Sequence, residues 1–134
     1  MPHLVVLYTG NLAAESDMTA LCRRLADAML AVRDDHGQQV FPTGGVRVFA
    51  YPASHYAVAD GQRDYAFVYL NLRMGRGRSA AVKQQAGEVL LAAARAHFEP
   101  LFATRYLGLT LQIDEGQEVF DGKHSTIHPL FRRP

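Results

Sequence analysis

Pro2 is the residue whose chemistry depends most on its covalent context. With Met1 attached, its nitrogen is a tertiary amide with no basicity. Once Met1 is removed, as is usual before a small residue, it is a free secondary amine at the chain end. A free α-amino group titrates at about 7.7 to 8.0, and partial burial beside arginines pushes it lower, which poises it as a general base near neutral pH. A base working on an acidic substrate needs cations for that substrate's charge. Arg47 and Arg78 are the candidates. A guanidinium grips a carboxylate with two parallel hydrogen bonds, and Arg78 stands just before a helix start, where free N–H groups add positive potential. The same groups would stabilise a dienolate as its charge develops.

Each of these residues also has a purely structural reading. Proline at position 2 is common, Arg47 suits the solvent side of a strand, and Gly75-Arg76-Gly77-Arg78 suits a turn feeding a helix. That turn lacks the lysine and spacing of a P-loop and the glycine pattern of a dinucleotide fingerprint. His124 and His128 have the i, i+4 spacing of a helical metal pair, but their segment does not read as helix and no third ligand accompanies them. We expect no metal there. His97 falls on the apolar face of a helix and reads as a hydrogen-bonded core residue. Cys22, the only cysteine, falls within an apolar helical pattern and reads as a small core residue.

The elements that would position these groups follow from hydrophobic periodicity. Leu4 to Tyr8 is a short apolar run suited to a buried strand. Ser16 or Asp17 caps a helix with apolar positions Met18, Leu21, Cys22, Leu25, Met29 and Val32. Val46 to Tyr51 reads as a second strand and Tyr65 to Leu72 as a third. Ser79 caps a second helix with Val82, Ala86, Val89, Leu90, Ala93, His97 and Phe98 on its apolar face, and Pro100 limits its extension. In the last strand, Tyr106 to Ile113, Leu107, Leu109, Leu111 and Ile113 alternate with polar or small residues.

The order is β-α-β twice, over residues 2–56 and 64–114, followed by a polar tail over 115–134. We expect a single α/β (α+β) domain over 1–134, with a four-stranded mixed sheet and both helices on one face. The other face would be bare, and strands apolar on both sides imply association. A formal net charge of +1 leaves no broad field for a polyanion, so nucleic acid is not expected as a partner. No apolar stretch is long enough to span a membrane, the N-terminus does not read as a secretory signal, and a lone cysteine fits a reducing cytoplasm. At the level of residues, the reading ends at an oligomeric α/β domain with an anion site.

The sequence resembles the 5-carboxymethyl-2-hydroxymuconate isomerases of the tautomerase superfamily. The likeness runs through Pro2-His3-Leu4, Asn11-Leu12, Phe41-Pro42 to Gly45-Val46-Arg47, Ala59-Asp60-Gly61-Gln62, Asp64 to Val68, Gly75, Gly77-Arg78-Ser79, Gln84 to Glu88 and His128 to Phe131. Departures fall at Leu7, where family members often carry an acid, and over Phe49 to Tyr56, while Arg76 adds a charge beside the expected anion site. The resemblance implies a homotrimer of doubled β-α-β units with the N-terminal proline as acid/base group and Arg47 and Arg78 as substrate-binding residues. It implies a proton shift that turns an unsaturated 2-hydroxy diacid, such as 5-carboxymethyl-2-hydroxymuconate, into its 2-oxo isomer without metal or cofactor, in homoprotocatechuate breakdown. The alternative expectation is a non-catalytic trimeric relative that binds a small carboxylate or a protein partner.

Overall fold

Every second residue of the first strand turns inward. In β1 (His3–Thr9), Leu4, Val6 and Tyr8 are buried while Leu7 is exposed, the two-residue period of a pleated strand. The computed structural model describes residues 2–131. After β1 come a 3-10 turn (Gly10–Leu12), α1 (Met18–Ala31), a second 3-10 turn (Thr43–Gly45), β2 (Arg47–Ala53), β3 (Tyr65–Met74), α2 (Ala80–Phe102), β4 (Tyr106–Glu115) and a last 3-10 turn (His128–Phe131). The strands form one mixed sheet in the order β2-β1-β3-β4. β1 runs parallel to β2 and antiparallel to β3, and β3 runs parallel to β4.

Both helix starts are capped where expected. Asp17 accepts the N–H of Ala20 at 3.0 Å and Ser79 accepts that of Val82 at 3.2 Å, each satisfying a donor that the helix leaves free. Leu21, Leu25 and Met29 of α1 and Ala86, Leu90, Ala94 and Phe98 of α2 pack with Val6, Val68, Leu70 and Leu72 in one core. Burying one such aliphatic side chain is worth about 1.5–3 kcal/mol, so this one-sided core holds the helices to the sheet. The opposite face carries Leu7, Phe49, Tyr51, Phe67 and Tyr106, all exposed. The register sets Leu7 beside Tyr51 and Tyr69, and Val5 beside Phe49. That face is therefore an uncovered, largely apolar sheet surface.

Three details differ from the sequence reading. β2 extends through Pro52 to Ala53, because β2 is an edge strand and its outer side needs no ladder donor there. Pro100 lies inside α2, which continues to Phe102; a proline in the last turn forfeits one hydrogen bond, and Leu101 beyond it still packs against the core. Cys22 is half-buried rather than in the core, and burial pushes its thiol pKa up. His97 does meet a partner, with Nε2 2.9 Å from Ser16 Oγ. Among the described residues no helix is long and apolar enough to cross a membrane.

Candidate active site

Pro2 is buried at the entrance to β1. The next residue, His3, is the ladder partner of Arg47 on β2 and of Arg73 on β3. Neighbouring strands lie about 4.8 Å apart, so the register sets the start of β1 between the start of β2 and the end of β3. From Met74 the chain enters Gly75-Arg76-Gly77-Arg78 at that same end. Gly77 takes φ 114°, a backbone conformation open to glycine, as the loop turns toward the Ser79 cap of α2. Pro2, Arg47 and the Arg78 loop thus share one end of the sheet.

Among the described residues Arg78 is held by an aromatic ring and backbone carbonyls, not by an ion-pair partner. Its guanidinium lies over the ring of Phe41, 5.1 Å from the centroid, a cation–π contact. Nη1 donates to the carbonyl of Gly75 at 3.2 Å and Nη2 to that of Val40 at 3.5 Å. Partial burial lowers its pKa from the ordinary guanidinium value, and Glu115 opposes this. Glu115 itself is engaged by Lys83 at 3.0 Å. Of the ion pairs among the described residues, none involves Arg78 or Arg47.

Arg47 donates from Nη1 to the carbonyl of Gly45 at 2.9 Å and lines a groove with His3, Glu118, Lys123 and His124. Arg78 lines a different groove, with Asp34, His36, Gln39 and Ser79. There the Asp34 carboxylate accepts the N–H groups of Gln38 and His36 at 2.9 and 2.8 Å, and those bonds, that of Gln38 foremost, hold its pKa below the usual range. The two arginines stand at one end of the sheet but open on separate grooves, with Pro2 just before β1, which lies beside β2. His128 begins the last 3-10 turn, against Gly44, where a Cβ would come within 2.6 Å of the His128 Cα. This glycine lets the tail close beside the Arg47 groove. Among the described residues no three His, Cys, Asp or Glu side chains gather around one point, and His124 and His128 are not on a shared helix. Met1, whose removal would free the Pro2 amine, lies outside the described residues.

Two residues at this end escaped notice as site groups. Phe41, fully buried, enters the sequence reading only as part of the family likeness, and its place under Arg78 is a contact between distant segments. Arg73 lies just past the strand expected over Tyr65 to Leu72, and only the ladder, with β3 continuing to Met74, sets it beside His3.

Residues 2–131 match the family described as 5-carboxymethyl-2-hydroxymuconate isomerase. The chain belongs to this isomerase family. The Escherichia coli 5-carboxymethyl-2-hydroxymuconate Delta-isomerase is 33% identical over 132 residues, which is 98% of this chain and 100% of that protein. A crystal structure of a 5-carboxymethyl-2-hydroxymuconate delta-isomerase is 59% identical with a TM-score of 0.96, covering 100% of this chain and 95% of that one. A 5-carboxymethyl-2-hydroxymuconate isomerase from Deinococcus radiodurans R1 is 41% identical with a TM-score of 0.88, covering 98% and 95%.

The residues that carry the likeness to the isomerase family divide between the two ends of the sheet. Phe41, Arg47 and Arg78 stand at the Pro2 end. Asn11, Asp60, Asp64 and Tyr65 stand at the other, across the ten residues of β3, roughly 30 Å of strand. There Asn11 donates to Asp64 Oδ1 at 3.0 Å and to the Tyr65 carbonyl at 2.8 Å. Asp60 accepts the Gln62 N–H at 3.0 Å and the Tyr65 hydroxyl at 2.8 Å. These residues staple loops to strands, far from Pro2.

Proposed function

We propose that this chain isomerises 5-carboxymethyl-2-hydroxymuconate, with the Pro2 amine of the Met1-free chain as general base and Arg47 and Arg78 as carboxylate-binding residues. The observation that carries this reading is the ladder register, which pairs His3, the residue after Pro2, with Arg47 at the start of β2 and with Arg73 of β3, the strand that leads to Arg78. Family membership supplies the reaction class. The acid in the family's name carries three carboxylates, two from muconate and one from the carboxymethyl arm, so the diacid expected from sequence is better described as a triacid.

The chemistry balances without a redox step. Pro2 takes the proton of the 2-hydroxyl group, the electron pair moves along the diene, and the pyrrolidinium returns the proton to C5. The product is the 2-oxo-3-ene isomer, and the base ends as it began. Between the two transfers the dienolate carries an extra negative charge, which the guanidinium groups of Arg47 and Arg78 stabilise more than they stabilise the neutral enol. Partial burial of a secondary amine among cations favours its neutral form, the form a base needs. No metal or cofactor takes part in this scheme.

The active assembly in this reading is a homotrimer in the cytoplasm, serving homoprotocatechuate breakdown. The exposed Leu7, Phe49, Tyr51 and Phe67 support association, because an apolar sheet face of this kind calls for a partner surface. The separate openings of Arg47 and Arg78 fit a pocket completed where subunits meet.

The test combines intact mass with pH-rate profiles. Chains lacking Met1 should isomerise the triacid with a rate that rises as the amine deprotonates. Chains retaining Met1 should be slower by about 10² to 10⁴, the usual contribution of a positioned base. Equal rates for wild type and Pro2→Ala at every pH would refute the role of Pro2, and a native mass of one chain would refute the trimer.

A further inference from the structure

The charge at the Pro2 end is concentrated in one row of the open sheet face. Across the ladder that row reads Arg47, His3, Arg73, Asp114. The next rows read Phe49, Val5, Asn71, Gln112 and then Tyr51, Leu7, Tyr69, Thr110, with no charge in either. Arg47 and Arg73 stand on the strands either side of β1, where like charges repel and an anion set between them relieves the repulsion. Asp114 stands only at the far edge of the row, beside Arg73, with its Oδ2 also accepting from Asn71 Nδ2 at 2.8 Å, so one carboxylate in the row faces two guanidinium groups. A substrate with three carboxylates has one more than Arg47 and Arg78 can hold.

We propose that Arg73 binds the third carboxylate and thereby selects a triacid over a diacid, an inference that rests on the isomerase reading above. Arg73 lies between buried Leu72 and Met74 and is itself exposed, so its side chain leaves the strand on the His3 face. Its ion pair with Glu118 spans 4.0 Å, with both side chains close to half exposed. An exposed pair at that separation contributes little, and a carboxylate offering two short bonds to the guanidinium displaces it. The other basic groups at this end are less suited. Lys123 is tied to Asp121 at 2.6 Å and Lys83 to Glu115 at 3.0 Å. Arg76 is on the loop beyond β3, beside Gly116, Gln117 and Glu118, and no ladder fixes it next to His3.

The deciding measurement compares two substrates, 5-carboxymethyl-2-hydroxymuconate and 2-hydroxymuconate, which is the same dienol without the carboxymethyl arm. Arg73→Gln should raise KM for the triacid about tenfold or more, the effect of losing a charge-assisted grip, and leave KM for the diacid within about twofold. Arg73→Lys should recover part of the loss, and Glu118→Gln, by freeing Arg73, should lower KM for the triacid alone. An equal change on both substrates, or none on either, overturns the proposal. If Arg73→Gln does not fold, Glu118→Gln decides: a selective fall in KM supports it and no change refutes it. A wild-type protein that turns over neither substrate refutes the isomerase reading instead. The same selectivity is then read from calorimetric binding of the two acids, where loss of triacid affinity alone supports the role of Arg73 and unselective binding refutes it.

Discussion

Replacing Phe41 with leucine should weaken catalysis through Arg78 without touching substrate. Phe41 is fully buried, and the Arg78 guanidinium lies 5.1 Å from its ring centroid. Leucine keeps the site apolar but removes the π face. A cation–π contact is worth about 0.5 kcal/mol when exposed and about 2 kcal/mol when desolvated, and partly buried Arg78 falls between those limits. If the ring's whole contribution goes into holding the guanidinium ready for a carboxylate, kcat/KM falls by about 2- to 30-fold, since 1.4 kcal/mol is a factor of ten. Phe41→Leu also deletes buried volume and should cost roughly 1–2 kcal/mol of stability, between the deletion of one methylene and that of a whole side chain.

Phe98→Leu separates the two effects. Phe98 is equally buried, on α2 with its ring against that of His97, whereas the ring under Arg78 is that of Phe41. Steady-state kinetics at a temperature where both variants are folded should show the loss of kcat/KM for Phe41→Leu alone, while thermal melts show similar destabilisation of both. Equal kinetic losses, or none in either variant, would refute a positioning role for the Phe41 ring.

Two further expectations concern the opposite end of the sheet. Burial holds the His97 pKa below its ordinary value, with Arg24 adding to the effect and Asp17 opposing it, so the fold prefers the neutral ring. Its stability contribution is complete above the unfolded-state value near about 6.5 and is lost as pH falls through the lowered folded value. Thermal melts of His97→Gln should therefore show a shallower loss of stability than wild type between about pH 7 and 5, and identical slopes would refute this. Arg105, whose side chain is 11% exposed, pairs with Glu15 and with Asp64 at 3.2 Å. Arg105→Gln should cost about 1–3 kcal/mol in denaturant unfolding with kcat/KM unchanged in the folded protein; a selective kinetic loss would contradict the separation of the two ends.

What was legible in the sequence was whatever repeats locally. A short apolar run marked β1 and alternation marked β4, and Ser79 and the pair Ser16 or Asp17 were readable as caps because a cap acts on donors two or three residues away. Pro52 and Pro100 misled because their cost depends on placement, one on an edge strand and one in a last turn, and placement is a tertiary fact. Arg47 and Arg78 could be named from the family resemblance, yet their surroundings could not. The ring under Arg78 belongs to Phe41, and the carbonyl at its Nη2 belongs to Val40, 38 positions earlier. Arg73 stood next to nothing in sequence that suggested chemistry. Its neighbour His3 becomes visible only when β1 and β3 are paired antiparallel in one register.

The doubled topology gives a reason why the proposed site falls at one end of the sheet and not at the other. The order β2-β1-β3-β4, with β1 and β2 running against β3 and β4, makes the two halves equivalent about the β1–β3 seam. Each end then holds the entrance to one half's first strand and the capped start of the other half's helix. At the far end the entrance to β3 is Asp64, an internal residue whose carboxylate is clamped by Asn11 and Arg105. At the near end the entrance to β1 is Pro2, and the arginine before the helix cap is held by carbonyls and a ring instead of a carboxylate. The far end spends its charges on pairing with one another, while the near end keeps Arg47 and Arg78 out of ion pairs among the described residues. A backbone amine exists only at a chain start, so in the proposed reading, with Met1 removed, the Pro2 frame is the one of the two that offers such a base.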